Sequence, residues 1–492
     1  MNVNRRTLLG QMAAAGAALG LPAFAQTTSH PARQCFEDFH AQASTGSALD
    51  PWRSVDNSEF PPLEMELQGK LPAELSGTLY RNGPAGFERA GMRYQHWFDG
   101  DGMVQAFRFG RRGITHHGRK VATRKWQQEE QAGRFLRNGA GSTVPGAIPR
   151  RSNDSGNVGN IAVVPWGDEL LALWEAGSPH ALDPKTLETR RRVVFSPETD
   201  GVAFSAHPLF EQDGRMWNFG LAQYAGENGT LILYALHPGR GLERVTAVSM
   251  PFAGYMHSFT MSERWLVFYL APHVFRRGRS DTYVDNHRWE PERGGRLLLV
   301  DKTDFEVRRW FDAPPGFVWH FADAIDGSNG AVTIRCPWSP GPKTMNGQMN
   351  QVMCGKSQRL NDGSRLATLR LDGKGKVRIE HSDVSGEFPI CDPRGTSPFM
   401  VMASDRELNL LTAKGQHRVL RAPGHIKLEE HRFVPRGSTL GDGWLVGTGY
   451  DFARRQSVVT VFDTHSQSTA PVALARMDRR LPFGFHGWFV QT

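Results

Sequence analysis

From about residue 70 to the C-terminus, apolar positions come in short runs separated by turn residues. GTLILYAL (229–236), WLVFYL (265–270), GRLLLVD (295–301), GAVTIRC (330–336), RLATLRL (365–371), KVRIEH (376–381), GWLVGTGY (443–450) and SVVTVFD (457–463) are rich in Val, Ile, Leu, Tyr and Phe and bounded by Gly, Asp and Pro. Runs of this length and make-up predict β-strands. LRLDGKGKVRIE (369–380) predicts a hairpin around a glycine-containing turn. Helical periodicity is scarce, and TRKWQQEEQAGRFLR (123–137) is the best helix candidate. No exact repeat is visible and no linker interrupts the strand pairs. Length alone would allow two or three domains, but the pattern predicts one all-β domain over 59–492, a β-propeller or another large β-architecture.

Composition agrees with a folded chain. Hydrophobic residues make up 39% of the 492, and 53 Gly and 30 Pro are scattered rather than clustered. The N-terminus reads differently. Arg5 and Arg6 precede a soft Ala/Gly/Leu stretch that ends in Ala23-Phe24-Ala25. This is the form of a twin-arginine export signal over residues 1–25, too short to span a bilayer, which implies a periplasmic protein. Residues 26–58 are expected to be a linker or extension. Without the leader the formal charge falls from +8 to +6, because two Arg and no acids leave with it. The basic residues are dispersed, with RRR (190–192) and RRGR (276–279) the densest runs. They form no helical stripe and no nucleic-acid motif, so nucleic acid is not an expected partner. Cys35, Cys336, Cys354 and Cys391 lack C-x-x-C spacing, which argues against a zinc site. A periplasmic disulfide such as Cys336–Cys354 is compatible with the count, but the pairing cannot be deduced from sequence.

The candidate chemistry lies in four of the 18 histidines. His207 follows Ser205-Ala206, His257 sits in Tyr255-Met256-His257-Ser258-Phe259, His320 follows Trp319, and His486 lies in Gly484-Phe485-His486-Gly487-Trp488. Each stands beside small or aromatic residues next to a turn. Taken singly, each is explained by a core imidazole bonded to a backbone carbonyl.

Taken in order with other motifs, they resemble one family. LSGTLYRNGP (75–84), WFDGDGMV (97–104) and the four histidine settings follow the sequence order of the carotenoid cleavage oxygenases, which include apocarotenoid oxygenases, lignostilbene dioxygenases and the retinal pigment epithelium isomerohydrolase. The likeness covers about residues 60–490. It implies a seven-bladed β-propeller with a few helices and loops capping the active-site face, and iron(II) held on the axis by His207, His257, His320 and His486. Three outer glutamates are implied at Glu175, Glu387 and Glu430, each accepting the outer N–H of a ligating imidazole. Four nitrogen ligands suit iron(II) and leave two coordination positions open. The implied reaction is cleavage of a conjugated C=C bond by dioxygen to give two carbonyl fragments, with no protein general acid or base.

Some positions depart from the family pattern. Ser258 follows the second ligand where many members have Asp, FADAID follows His320, and His431 stands where Pro is usual. Lignostilbene dioxygenases hold a substrate phenol with a Tyr and a Lys. The matching positions here are Lys120, on an ungapped alignment, and Trp174. With Trp174 and Lys120 as candidate pocket residues, the expected substrate is a carotenoid or apocarotenoid polyene. A stilbene or phenylpropanoid is the alternative, and a non-catalytic propeller that binds apolar ligands is the alternative of another class. Polyene substrates also suggest peripheral membrane contact, for which the loop 138–150 is a mildly apolar candidate.

Overall fold

The computed structural model describes residues 30–224, 228–357, 360 and 363–492, so the expected twin-arginine leader lies outside the described residues. Among the described residues, seven antiparallel sheets of four or five strands form a seven-bladed β-propeller, and two short hairpins are added to it. Trp265–Leu270, Gly295–Asp301 and Arg365–Leu371 are strands over the expected residues. The central strands are packed on both faces by neighbouring blades, so WLVFYL is buried at every position and reads as an unbroken apolar run. Outer strands such as Val377–Ser385 alternate between half-buried and exposed, as a strand with one wet face must. The expected hairpin at 369–380 turns on Asp372, whose carboxylate accepts from Lys374 N and Lys376 N, with Gly375 at φ 89°.

The ring closes by pairing the two ends of the chain. Gly77–Gly86 pairs with the last strand, Gly487–Gln491, and Glu66–Gly69 adds to the sheet of Ala473–Arg476.

Three expectations are corrected. The helix expected at 123–137 spans Arg124–Ala132 only: Thr123 Oγ1 caps it by accepting from Trp126 N, and Gly133 ends it in the left-handed conformation, φ 61°. The carboxylate of Glu129 then accepts from Leu136 N at 2.9 Å and folds the following residues back.

Residues 30–58, the described part of the linker or extension expected over 26–58, contain a helix at Pro31–Ala43 that buries Ala32, Cys35, Phe39 and Ala43. Arg93, fully buried, lies 3.5 Å from the Phe39 ring centroid, donates to Met353 O at 2.6 Å and pairs with Glu88. Trp52, also buried, packs edge-on against Trp97 at 4.7 Å. The third correction is the disulfide, which joins Cys35 to Cys354. Cys336 cannot reach it, because its side chain is buried within a blade in the strand Val332–Trp338.

Several histidines away from the axis are buried and held neutral. Burial pushes His116 down to about 3 and both His180 and His287 to about 4. An unfolded chain protonates these side chains near pH 6.5, whereas the folded chain resists until well below it. The stability they contribute is complete above about pH 6.5 and is lost as pH falls toward about 4, on the order of 1–2 kcal/mol per residue at pH 5. Thermal melts followed by circular dichroism are expected to show Tm falling steadily from pH 7 to 4.5. A flat profile across that range would count against neutral burial.

Candidate metal centre

Each of the seven blades supplies one residue to a site on the propeller axis. The edge strands that touch one another between blades include Thr260–Met261, Asp323–Asp326, Ile426–Pro435 and Gly487–Gln491. His207, His257, His320 and His486 sit one to three residues before the edge strand of their blades, where the chain turns in from the preceding blade. Glu387 and Glu430 lie on the edge strands of two further blades, and Glu175 follows the strand Glu169–Leu173 of the seventh. Strand register slips at both edge-strand glutamates, between Glu387 and Ile390 and between Leu428 and His431. Such bulges re-aim a side chain toward a site without ending the strand.

The four imidazoles converge so that one nitrogen of each lies within 4.8 Å of the others. His207 Nε2 and His257 Nε2 are 2.9 Å apart, and His320 Nε2 and His486 Nε2 are 3.1 Å apart. The outer nitrogens face carboxylates. His320 Nδ1 donates to Glu387 Oε2 at 2.8 Å and His486 Nδ1 to Glu430 Oε1 at 3.1 Å, while His257 Nδ1 lies 3.3 Å from Glu175 Oε2. A proton on each Nδ1 leaves the Nε2 lone pair of these three rings aimed at the centre. Burial first, and then the neighbouring histidines, hold His207 and His486 well below the ordinary imidazole range. Ring nitrogens crowded this closely with lone pairs aimed inward repel unless a cation lies between them. This donor set fits a first-row transition metal ion, and the carboxylates offset its charge.

The walls are aromatic. Phe98 lies parallel to His257 at 6.4 Å, Trp319 stands edge-on to it at 4.8 Å, and Phe388 stacks on His320 at 5.2 Å. Phe388 adopts φ 57°, a left-handed conformation uncommon for a bulky residue and often kept at functional sites. The WFDGDG motif places Phe98. Asn160 Nδ2 donates to Phe98 O and Gly100 O, and the Asp99 carboxylate accepts from Gly141 N and from Ser142 Oγ at 2.6 Å.

The departures from the family pattern find partners. Ser258 Oγ donates to Trp319 O at 2.7 Å and so ties the second histidine's loop to the third's. His431 is engaged at both nitrogens, with Glu429 O and with Thr460 Oγ1. Trp174 is buried in the same apolar cluster as Phe98, Trp319 and Phe485. Lys120 is elsewhere. Its ammonium donates to Val55 O at 2.6 Å and experiences the charge of Asp101, an acid that also binds Arg89 and Lys125. Its proposed role in the pocket is therefore corrected: residue 120 ends its strand facing the N-terminal segment. Sequence reasoning missed Tyr255, whose hydroxyl lies 3.2 Å from His257 Nδ1. Its position two residues before a ligand was the only available signal.

The retinal pigment epithelial membrane protein family model matches residues 52–491. The apocarotenoid-15,15'-oxygenase of Synechocystis is 27% identical over 87% of this chain and 93% of its own. Resveratrol cleavage oxygenase 1 of Aspergillus fumigatus is 26% identical over 87% of this chain and 92% of its own. The crystal structure of a cobalt-substituted Synechocystis apocarotenoid oxygenase superposes with a TM-score of 0.80 at 24% identity, covering 91% of this chain and 98% of that one, a likeness of fold. With that match along the domain, the chain belongs to the retinal pigment epithelial membrane protein family, the carotenoid cleavage oxygenases, and is an enzyme of the carotenoid-oxygenase type.

Proposed function

We propose that this protein is a non-haem iron(II) dioxygenase that cleaves a conjugated C=C bond of a carotenoid or apocarotenoid to give aldehydes. The observation that carries the reading is the convergence of four imidazoles, three of them backed by carboxylates, inside walls of Phe98, Trp319 and Phe388. His207, His257, His320 and His486 would hold the ion, and Glu175, Glu387 and Glu430 would fix three of the rings. Iron(II) would supply the electrons that activate dioxygen. The chain's own contribution is position and dryness: rigid apolar rings orient a flat polyene and keep water away, and no side chain needs to move a proton.

A stilbene or phenylpropanoid substrate is the second reading, supported by the likeness to a resveratrol cleavage oxygenase. Against it, Trp174 cannot ionise a phenol and Lys120 is committed to Val55. Assay of the iron-loaded enzyme on an apocarotenal and on a hydroxystilbene, with aldehydes identified by mass spectrometry, separates the two. Cleavage of the apocarotenal at least tenfold faster is expected, and cleavage of the stilbene alone would overturn the preference. We further propose export by the leader at residues 1–25, since the Cys35–Cys354 disulfide suits an oxidising compartment.

A further inference from the structure

The RNGP stretch at 81–84 carries part of the family likeness, yet none of its residues is a ligand or an outer glutamate. Its geometry shows what it holds. Arg81 is buried, 3% exposed, on the strand Gly77–Gly86 that closes the ring. Nη2 of Arg81 donates to Glu429 Oε1 at 3.0 Å. Its Nη1 donates to the Glu430 carbonyl at 2.9 Å and lies 3.6 Å from Glu430 Oε2. The bulge between Leu428 and His431 lets two successive glutamates reach this one guanidinium, where a regular strand would send them to opposite faces.

Both carboxylates then grip the C-terminal segment. Glu429 Oε1 accepts from Gly484 N at 2.8 Å, and its other oxygen accepts from Thr448 Oγ1 at 2.7 Å. Glu430 accepts from His486 Nδ1 at 3.1 Å and from Gly487 N at 2.8 Å. Asn82 completes the hold, donating its N–H to His486 O and accepting from Phe485 N, both at 2.9 Å. The backbones approach so closely that a Cβ on Gly83 would stand 2.5 Å from Gly484 Cα, and one on Gly487 would stand 2.3 Å from Tyr80 O. Glycine at these positions is thus a requirement of the seam.

We propose that Arg81 is a positioning residue for the metal centre. It fixes His486 through Glu429 and Glu430 and partly offsets the charge on Glu430, so that closure of the propeller ring and completion of the metal site are a single event. The inference rests on the four-histidine metal reading above. A guanidinium makes this fork with two carboxylates and a carbonyl, whereas a Lys ammonium reaches fewer of them.

The test uses the whole metal-free protein and anaerobic titration with Co(II), read by its ligand-field absorption. Arg81→Gln is expected to weaken Co(II) binding by about 10- to 100-fold, the range for loss of groups that orient a ligand, and to shift the absorption bands. Arg81→Lys is expected to fall between this variant and wild type. Leu79→Ala, a core truncation on the same strand, serves as the control: it should lower Tm while leaving Co(II) affinity within about twofold of wild type. If folded Arg81→Gln binds Co(II) like wild type with unshifted bands, or like Leu79→Ala, the proposal is overturned. If Arg81→Gln does not fold, Glu429→Gln decides. It keeps the shape of the side chain but loosens the Gly484 anchor, and unchanged affinity there overturns the proposal equally. A wild-type protein that takes up no Co(II) would instead refute the metal reading, and the inference with it.

Discussion

His320→Ala is expected to yield a folded protein that carries less than a tenth of the wild-type iron and cleaves a polyene at least 10³-fold more slowly. The loss follows from the geometry. His320 Nε2 lies 3.1 Å from His486 Nε2, and the ring is held by the 2.8 Å bond to Glu387 and by stacking on Phe388. Without it, three imidazoles face an open side of the site, and Glu387 keeps a charge with no imidazole donor. Thermal stability separates this from general damage. Wild-type protein should gain about 4 kcal/mol when the free ion stands at a thousandfold excess over its Kd, and the variant should gain almost none. Elemental analysis of anaerobically loaded protein, with melts in the presence and absence of the ion, measures both quantities. Full metal content in His320→Ala would remove His320 from the ligand set.

The strands were legible because their pattern is local. WLVFYL and GRLLLVD are buried on both faces, so their apolar runs map onto strands without shift. The number of blades was not legible, since blades share packing and not sequence, and the seven-fold expectation came from the family likeness. The histidines were legible only as an ordered set. Nothing local distinguishes His257 from His287, for both are buried imidazoles beside aromatic rings. What separates them is whether the outer nitrogen meets a carboxylate, as at His257, or a backbone carbonyl, as at His287. That difference depends on residues from other blades.

Lys120, Arg81 and the N-terminal helix were illegible for one physical reason, a partner far along the chain. Lys120 was aligned by counting through a strand, which cannot show that its ammonium meets Val55 O, 65 residues earlier. Arg81 reads as an ordinary strand residue until Glu429, 348 residues on, is brought to it. The N-terminal helix has only four buried positions and much polar surface, too narrow a stripe to stand out from a linker. Its helicity is stabilised chiefly by what it packs against.

The disulfide that secures this helix is expected to be the largest single contributor to stability outside the metal site. It joins positions 319 residues apart, so it removes one of the longest loops the unfolded chain could open. Loop-closure entropy for so long a loop places its contribution at the upper end for a disulfide, about 5–6 kcal/mol. Other contacts keep the helix seated after reduction, since Arg93 still bonds Met353 O and faces Phe39. The expected outcome is therefore a less stable protein and not an unfolded one. Reduction, or Cys35→Ser, should lower Tm by about 5 °C for a domain of this size. The consequence should reach toward the axis, because the helix Met349–Met353 that ends at Cys354 packs on the turn Trp97–Asp99, whose Phe98 faces His257. Hydrogen exchange should accordingly rise at residues 97–99 and 349–354 before it rises in the blades. If the thiols are fully reduced and both Tm and exchange stay unchanged, the staple contributes nothing, and Arg93 with its carbonyl partners holds the segment alone.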